Sequence, residues 1–191
     1  SIMSKKLAAG SDAIVLDVKC GDGAFMENLE DATTLANLMV DIGDDAGKKT
    51  VAAITDMSQP LGKAVGNALE VIEAIETLKG NGPEDITELA ERLAGIMVYL
   101  GGKAASPQEG HDMTAEALRN GKGLEQFRKF VTAQGGNPAI VEDYSLFPQA
   151  AHKAELKADK DGYISGIAAR TIGLASQHTG AGRATKEDAI D

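Results

Sequence analysis

The stretch Ala13-Ile14-Val15-Leu16-Asp17-Val18, with Gly21 and Gly23 just beyond it, decides the fold class. It is short, apolar and rich in β-branched residues, and glycines end it, which predicts a strand buried on both faces. From Asn28 to about Ala46, Leu29, Ala32, Leu35, Met39 and Ile42 recur at helical spacing, leaving one wet face. A second strand is predicted over Thr50 to Asp56. Met57-Ser58-Gln59-Pro60-Leu61-Gly62 is then a loop, because proline and glycine interrupt both periods. Leu69, Ile72, Ile75 and Leu78 mark the next helix, closed by Gly80. Strand, helix, strand, helix is the unit of a parallel sheet flanked by helices, and its ligands gather at the carboxyl ends of the strands. The loops after Val18 and Asp56 are therefore the expected cleft side.

After Gly80-Asn81-Gly82-Pro83 the pattern turns helical. Leu89, Leu93, Ile96, Met97 and Leu100 share a face, and Ser106-Pro107-Gln108-Glu109 combines a capping box with proline at the first helical position. Leu124, Phe127 and Phe130 belong to a further helix that stops at Gly135-Gly136. Beyond Pro148, Ala154, Leu156 and Ala158 alternate with charged residues, and Asp161-Gly162 turns the chain into Tyr163 to Ile167, which predicts a hairpin.

Nineteen basic against 29 acidic residues give a formal charge of -10 over 191 residues, a field that repels nucleic-acid phosphates and anionic membranes. No apolar run approaches the roughly 20 residues of a membrane span. Cys20 is the single cysteine, so no intrachain disulfide forms, and a reducing cytoplasm is expected. Ser1-Ile2-Met3-Ser4-Lys5-Lys6 carries neither an initiator methionine nor a signal-peptide core, so the chain is expected to be a piece of a longer protein.

Several motifs fail on inspection. Gly21-Asp22-Gly23-Ala24-Phe25-Met26 follows a strand, but Met26 stands where a dinucleotide fingerprint needs its third glycine; a tight turn bringing backbone near a substrate is the better reading. A calcium loop at Lys157 to Ala168 lacks its first and last ligands. His111, His152 and His178 lack companions at zinc spacing. Cys20 lies beside Lys19 with no histidine nearby in sequence, and is read as a loop filler.

Ser1 to Lys6, Leu16-Asp17-Val18-Lys19-Cys20-Gly21-Asp22-Gly23-Ala24-Phe25-Met26 and Thr55-Asp56-Met57-Ser58-Gln59-Pro60-Leu61-Gly62 together resemble the pyrimidine-nucleoside phosphorylases. Val65 to Val71 and Gly180-Ala181-Gly182-Arg183-Ala184-Thr185-Lys186-Glu187-Asp188 extend the likeness over essentially the whole chain. Cys20, Asp22 and the Gln177-His178 pair depart from that pattern. The resemblance implies an α/β large lobe around a mixed or parallel sheet, a small helical lobe, and a cleft that closes over substrate. On that plan residues 1–9 end the small lobe, 10–150 belong to the central α/β domain and 151–191 begin an α+β C-terminal domain.

The resemblance further implies reversible phosphorolysis of uridine or thymidine in nucleoside salvage, with phosphate as co-substrate, no organic cofactor and a homodimeric protein. The family's phosphate-binding segment, histidine and arginine would lie upstream of Ser1, so no certain catalytic residue lies within this chain, and the chain alone is expected to be inactive. Ser1 and Lys5, four apart on one helix face, would address the pyrimidine edge. The likeness also implies a K+ or Ca2+ ion near the hinge, held by the main-chain oxygens of Leu61 and Ala64 and the side chain of Glu73. In one continuous helix Ala64 and Glu73 would stand about 13 Å apart, so the chain between Gly62 and about Gly66 is expected to fold back outside the helix and turn its carbonyls toward Glu73. Two other readings stay open. One is an anthranilate phosphoribosyltransferase of the same fold, against which the Asp56-to-Pro60 segment argues; the other is an acidic, non-catalytic interaction module.

Overall fold

The computed structural model describes residues 2–183 and 185–187. Helix α1 (Ile2–Ala8) leads into strand β1 (Ala13–Cys20), helix α2 (Leu29–Asp45) and strand β2 (Lys49–Asp56). Four helices follow: α3 (Asn67–Leu78), α4 (Glu84–Leu100), α5 (Pro107–Arg119) and α6 (Lys122–Ala133). Short 3-10 turns occupy Pro138–Val141 and Tyr144–Leu146 before α7 (Ala169–Ser176) and a last wide turn, Gln177–Ala181.

The two strands pair in parallel, from Ala13 opposite Lys49 to Cys20 opposite Asp56. The α2 crossover makes this possible. Its first turn is fixed by Asn28, whose side chain accepts the Asp31 N–H at 2.9 Å, and it ends against β2 at a close approach. A Cβ on Gly43 would lie 2.0 Å from Thr50 Oγ1, so only glycine lets helix and strand meet there.

Ile14, Leu16 and Val18 alternate along β1 and are buried with Ala32, Ala36 and Met39 of α2 and Met3 of α1. Ile14, Leu16, Val18 and the two methionines each contribute roughly 1.5–3 kcal/mol by leaving water, and the alanines less. The expectation of a strand buried on both faces needs correction. Asp17 is exposed and Ala13, Val15 and Lys19 are half-buried, because the second face is only loosely covered by α4, whose Leu89 and Leu93 share a cavity of about 270 Å³ with Ala53 and Thr55. On α2 the apolar spacing also overreaches: Leu29 is 65% exposed, and the inward face runs through Ala32, Ala36, Met39 and Gly43.

The helical run behaves as its caps dictate. Ser106 accepts the Glu109 N–H at 3.1 Å, and Glu109 reaches back to the Ala105 N–H at 2.6 Å, one residue before the expected partner. Helices α4 and α5 cross with their backbones in contact, since a Cβ on Gly95 would lie 2.5 Å from His111 N and one on Gly110 would lie 2.2 Å from Gly95 O. The hairpin expected beyond Pro148 does not form. Residues 152–168 join no ladder, and Leu156 and Tyr163 are wholly exposed; alternation alone has no partner surface to select it.

Candidate functional site

The carboxyl ends of β1 and β2 bring their following loops together. Met57 N–H donates to Cys20 O at 2.7 Å, and Gly23 N–H donates to Met57 O at 2.9 Å. Gly21 has φ +127°, and a Cβ there would lie 2.6 Å from Ser58 N. The glycine turn expected to approach a substrate thus presses its backbone on the neighbouring loop. Within the turn, Gly21 N–H donates to Met26 O and Ala24 N–H to Gly21 O, each at 3.0 Å, closing it into a compact unit with Phe25 at its tip.

A cavity of about 770 Å³ opens at this end of the sheet. Its floor is Val15 to Lys19 of β1 with Leu35 and Met39 of α2; its rim carries Ile2 and Lys6 of α1, Phe25, and Arg170 of α7. Phe25 is fully exposed, an unusual state for so large an apolar ring. Sequence reasoning passed over it as part of a failed fingerprint; its position at the tip of a glycine turn after a strand was the signal.

Charge is concentrated on β1. Lys19 Nζ lies 2.7 Å from Asp17 Oδ2 and donates to Thr55 Oγ1 at 3.0 Å, while Thr55 donates to the other Asp17 oxygen. At the end of β2, hydrogen bonds from the Ser58 hydroxyl, and then from the Ser58 amide, hold the Asp56 carboxyl below its ordinary value.

The residues singled out in sequence divide between two places. Lys5 is exposed on α1 and Lys6 beside it lines the cavity, whereas Ser1 lies outside the described residues. Leu61, Ala64 and Glu73 gather around the loop that precedes α3. Glu73 Oε1 accepts the N–H groups of Lys63 at 2.8 Å and Ala64 at 3.1 Å, and its Oε2 lies where a Gly62 Cβ would stand. Asp85 Oδ2 accepts the Gly62 N–H at 2.9 Å. The segment does leave the helix, α3 starting only after Gly66 at φ +140°. The contacts that form on Glu73, however, are amide hydrogens where carbonyls were expected, because an ionised carboxylate only accepts hydrogen bonds and so pairs with N–H donors rather than with carbonyl oxygens.

Among the described residues, no three His, Cys, Asp or Glu side chains cluster as metal ligands. His111 sits between Glu91 at 3.6 Å and Asp112 at 3.5 Å. No helix of the described residues is long and apolar enough to cross a membrane.

Comparison with known proteins supplies a chemical frame. Residues 1–124 match the model described as "Glycosyl transferase family, a/b domain". All 191 residues align with pyrimidine-nucleoside phosphorylases: 58% identity with that of Geobacillus stearothermophilus, 56% with that of Staphylococcus epidermidis and 53% with that of Staphylococcus aureus. The alignment takes in the whole of this chain and 44% of each relative.

Proposed function

The chain belongs to the glycosyl transferase family whose a/b domain it carries, and from that membership we propose that the complete protein is a pyrimidine-nucleoside phosphorylase acting on uridine and thymidine. The observation that carries this reading is the 58% identity to such an enzyme in an alignment that spans every residue of the chain.

In the proposed reaction a phosphate oxygen attacks C1′ as the bond from C1′ to the base nitrogen breaks. The bonding pair leaves with the base, and the product is an α-pentose 1-phosphate. Positive charge grows on the sugar and negative charge on the base, so donors held at the base edge lower the barrier. Lys5, exposed on α1, supplies a cation for that edge and Ser1 a neutral donor. Phe25 offers a ring face against which a pyrimidine can lie, at the rim of the cavity that it shares with Ile2. Helix α1 is rooted in the core by Met3 and, less deeply, by Leu7, so it is the proposed junction at which residues 1–9 end a small lobe; residues 10–150 form the large lobe and 151–191 begin a further domain.

A K+ or Ca2+-like cation is part of the proposal, held by the main-chain oxygens of Leu61 and Ala64 and the carboxylate of Glu73. The donor atoms are hard oxygens, as such an ion needs, but Glu73 faces the N–H groups of Lys63 and Ala64 rather than the two carbonyls, so the loop would have to turn its carbonyls inward for the ion to be held. When bound, such an ion would fix that loop. The protein is further proposed to be a cytoplasmic homodimer, with phosphate as co-substrate and no organic cofactor. Incubating the complete protein with uridine should release uracil in a phosphate-dependent manner; absence of uracil at any phosphate concentration would refute the assignment.

A further inference from the structure

One residue of α7 fastens the Phe25 turn on both sides. The backbone N–H of Arg170 donates to Asp22 Oδ2 at 2.9 Å, and its guanidinium donates to Glu27 Oε1, also at 2.9 Å. The two acceptors bracket Phe25, and Arg170 lines the same cavity. Helix α7 is itself anchored elsewhere. The Ala169 N–H donates to Ser58 O at 3.4 Å, Ala169 is buried so close to Gly23 that a Cβ there would lie 2.9 Å from its own, and Ser176 Oγ donates to Val65 O at 3.3 Å. The helix thus spans both strand-end loops and gives the Phe25 turn a fixed post to lean on.

We infer that the Arg170 side chain has a positioning role: by tying Glu27 to α7, beside the Asp22 bond that the backbone N–H of residue 170 keeps with any side chain, it sets the angle of the Gly21–Glu27 turn and with it the ring of Phe25 at the mouth of the cavity. Its functional half rests on the proposed phosphorolysis. A side chain as exposed as Phe25 is not oriented by packing, so its direction follows from the backbone that carries it. Because the turn closes on itself through the Gly21 to Met26 hydrogen bond, it moves as a unit, and restraint at its flanks restrains its tip. A pre-set ring spares the ligand the cost of ordering it. Arg170 and Glu27 are 53% and 67% exposed, so the expected effect is a few-fold one.

The test uses the complete protein with Arg170→Ala, Arg170→Lys, Phe25→Ala and the Arg170→Ala/Phe25→Ala pair. Arg170→Ala should raise KM for uridine roughly three- to five-fold, the scale of an exposed ion pair, with kcat little changed, and Arg170→Lys should recover most of the loss. In the Phe25→Ala background, removing Arg170 should change nothing further, because the residue acts through the ring. Hydrogen exchange at amides 21–27 should quicken in Arg170→Ala while that of α2 stays fixed. An unchanged KM, or a full effect that persists without Phe25, overturns the positioning role. If wild-type protein releases no uracil, the phosphorolysis reading falls, and exchange alone then decides: faster exchange at 21–27 upholds the clasp, unchanged exchange overturns it.

Discussion

The carboxylate of Glu73 accepts the backbone N–H of Lys63 at 2.8 Å, ten residues back along the chain. That bond, its twin to Ala64 and the Asp85 bond to Gly62 hold an irregular segment that has no ladder of its own. Two acidic side chains from α3 and α4 therefore do for this loop what a sheet would do elsewhere.

Glu73→Ala should loosen that loop and cost on the order of 1 kcal/mol, the usual worth of hydrogen bonds that are half exposed. Chemical denaturation of wild type and variant measures it. A midpoint unchanged within error would mean that the loop is held by other contacts.

Gly95→Ala should destabilise the protein by about 2 kcal/mol despite alanine's higher helix propensity. The added Cβ would meet His111 N at 2.5 Å and His111 Cα at 2.7 Å, backbone atoms that cannot swing away. Thermal unfolding decides it, and a variant as stable as wild type would show that α4 and α5 separate freely.

The Glu76, Lys79 and Tyr144 cluster predicts a pH profile with two edges. Lys79 donates to Tyr144 Oη at 2.9 Å, Tyr144 donates to Glu76, and Asn81 donates to Glu76 at 3.1 Å. The Tyr144 hydroxyl, ahead of Asn81, holds the Glu76 carboxyl below its ordinary 4.5, so its stabilisation is full above that pH and is lost as pH falls through the lowered value. Burial, then the bond to Glu76, raises Tyr144 above 10.0, and the Tyr144 bond raises Lys79 above 10.5. Their stabilisation is present below those values and lost as pH rises through the raised ones. Tyr144→Phe should blunt both edges of a melting-temperature profile. Identical profiles would remove the cluster from the stability of the fold.

Much of this architecture was legible because β-branched runs, a 3.6-residue period and glycine stops act locally. The parallel pair, the helix boundaries and the Ser106 cap follow from such signals. Burial of β1 on both faces did not, because it depends on what α4 covers, and Asp17 and Lys19 instead pair on that open face. The alternation of Ala154, Leu156 and Ala158 suggested a hairpin, yet pairing needs a partner surface that no period encodes. At the site, the strand-end loops were foreseen, but Arg170 lies 143 residues from Glu27, and no sequence spacing reports a contact at that range.

For the base edge, Lys5→Ala in the complete protein should lower kcat/KM for uridine by roughly two orders of magnitude, as removal of a donor aimed at developing charge costs about 3–4 kcal/mol. Ser1→Ala should cost about 1 kcal/mol. Steady-state kinetics with uridine separates the two, and a lysine variant with wild-type rates would exclude Lys5 from the site.

The most direct test of the whole account is phosphorus NMR of the complete protein incubated with uridine and inorganic phosphate. Phosphorolysis predicts that inorganic phosphate is consumed as a ribose 1-phosphate resonance of α configuration appears, in step with free uracil. Uracil formed with no sugar phosphate, or a phosphate signal that never changes, would contradict it.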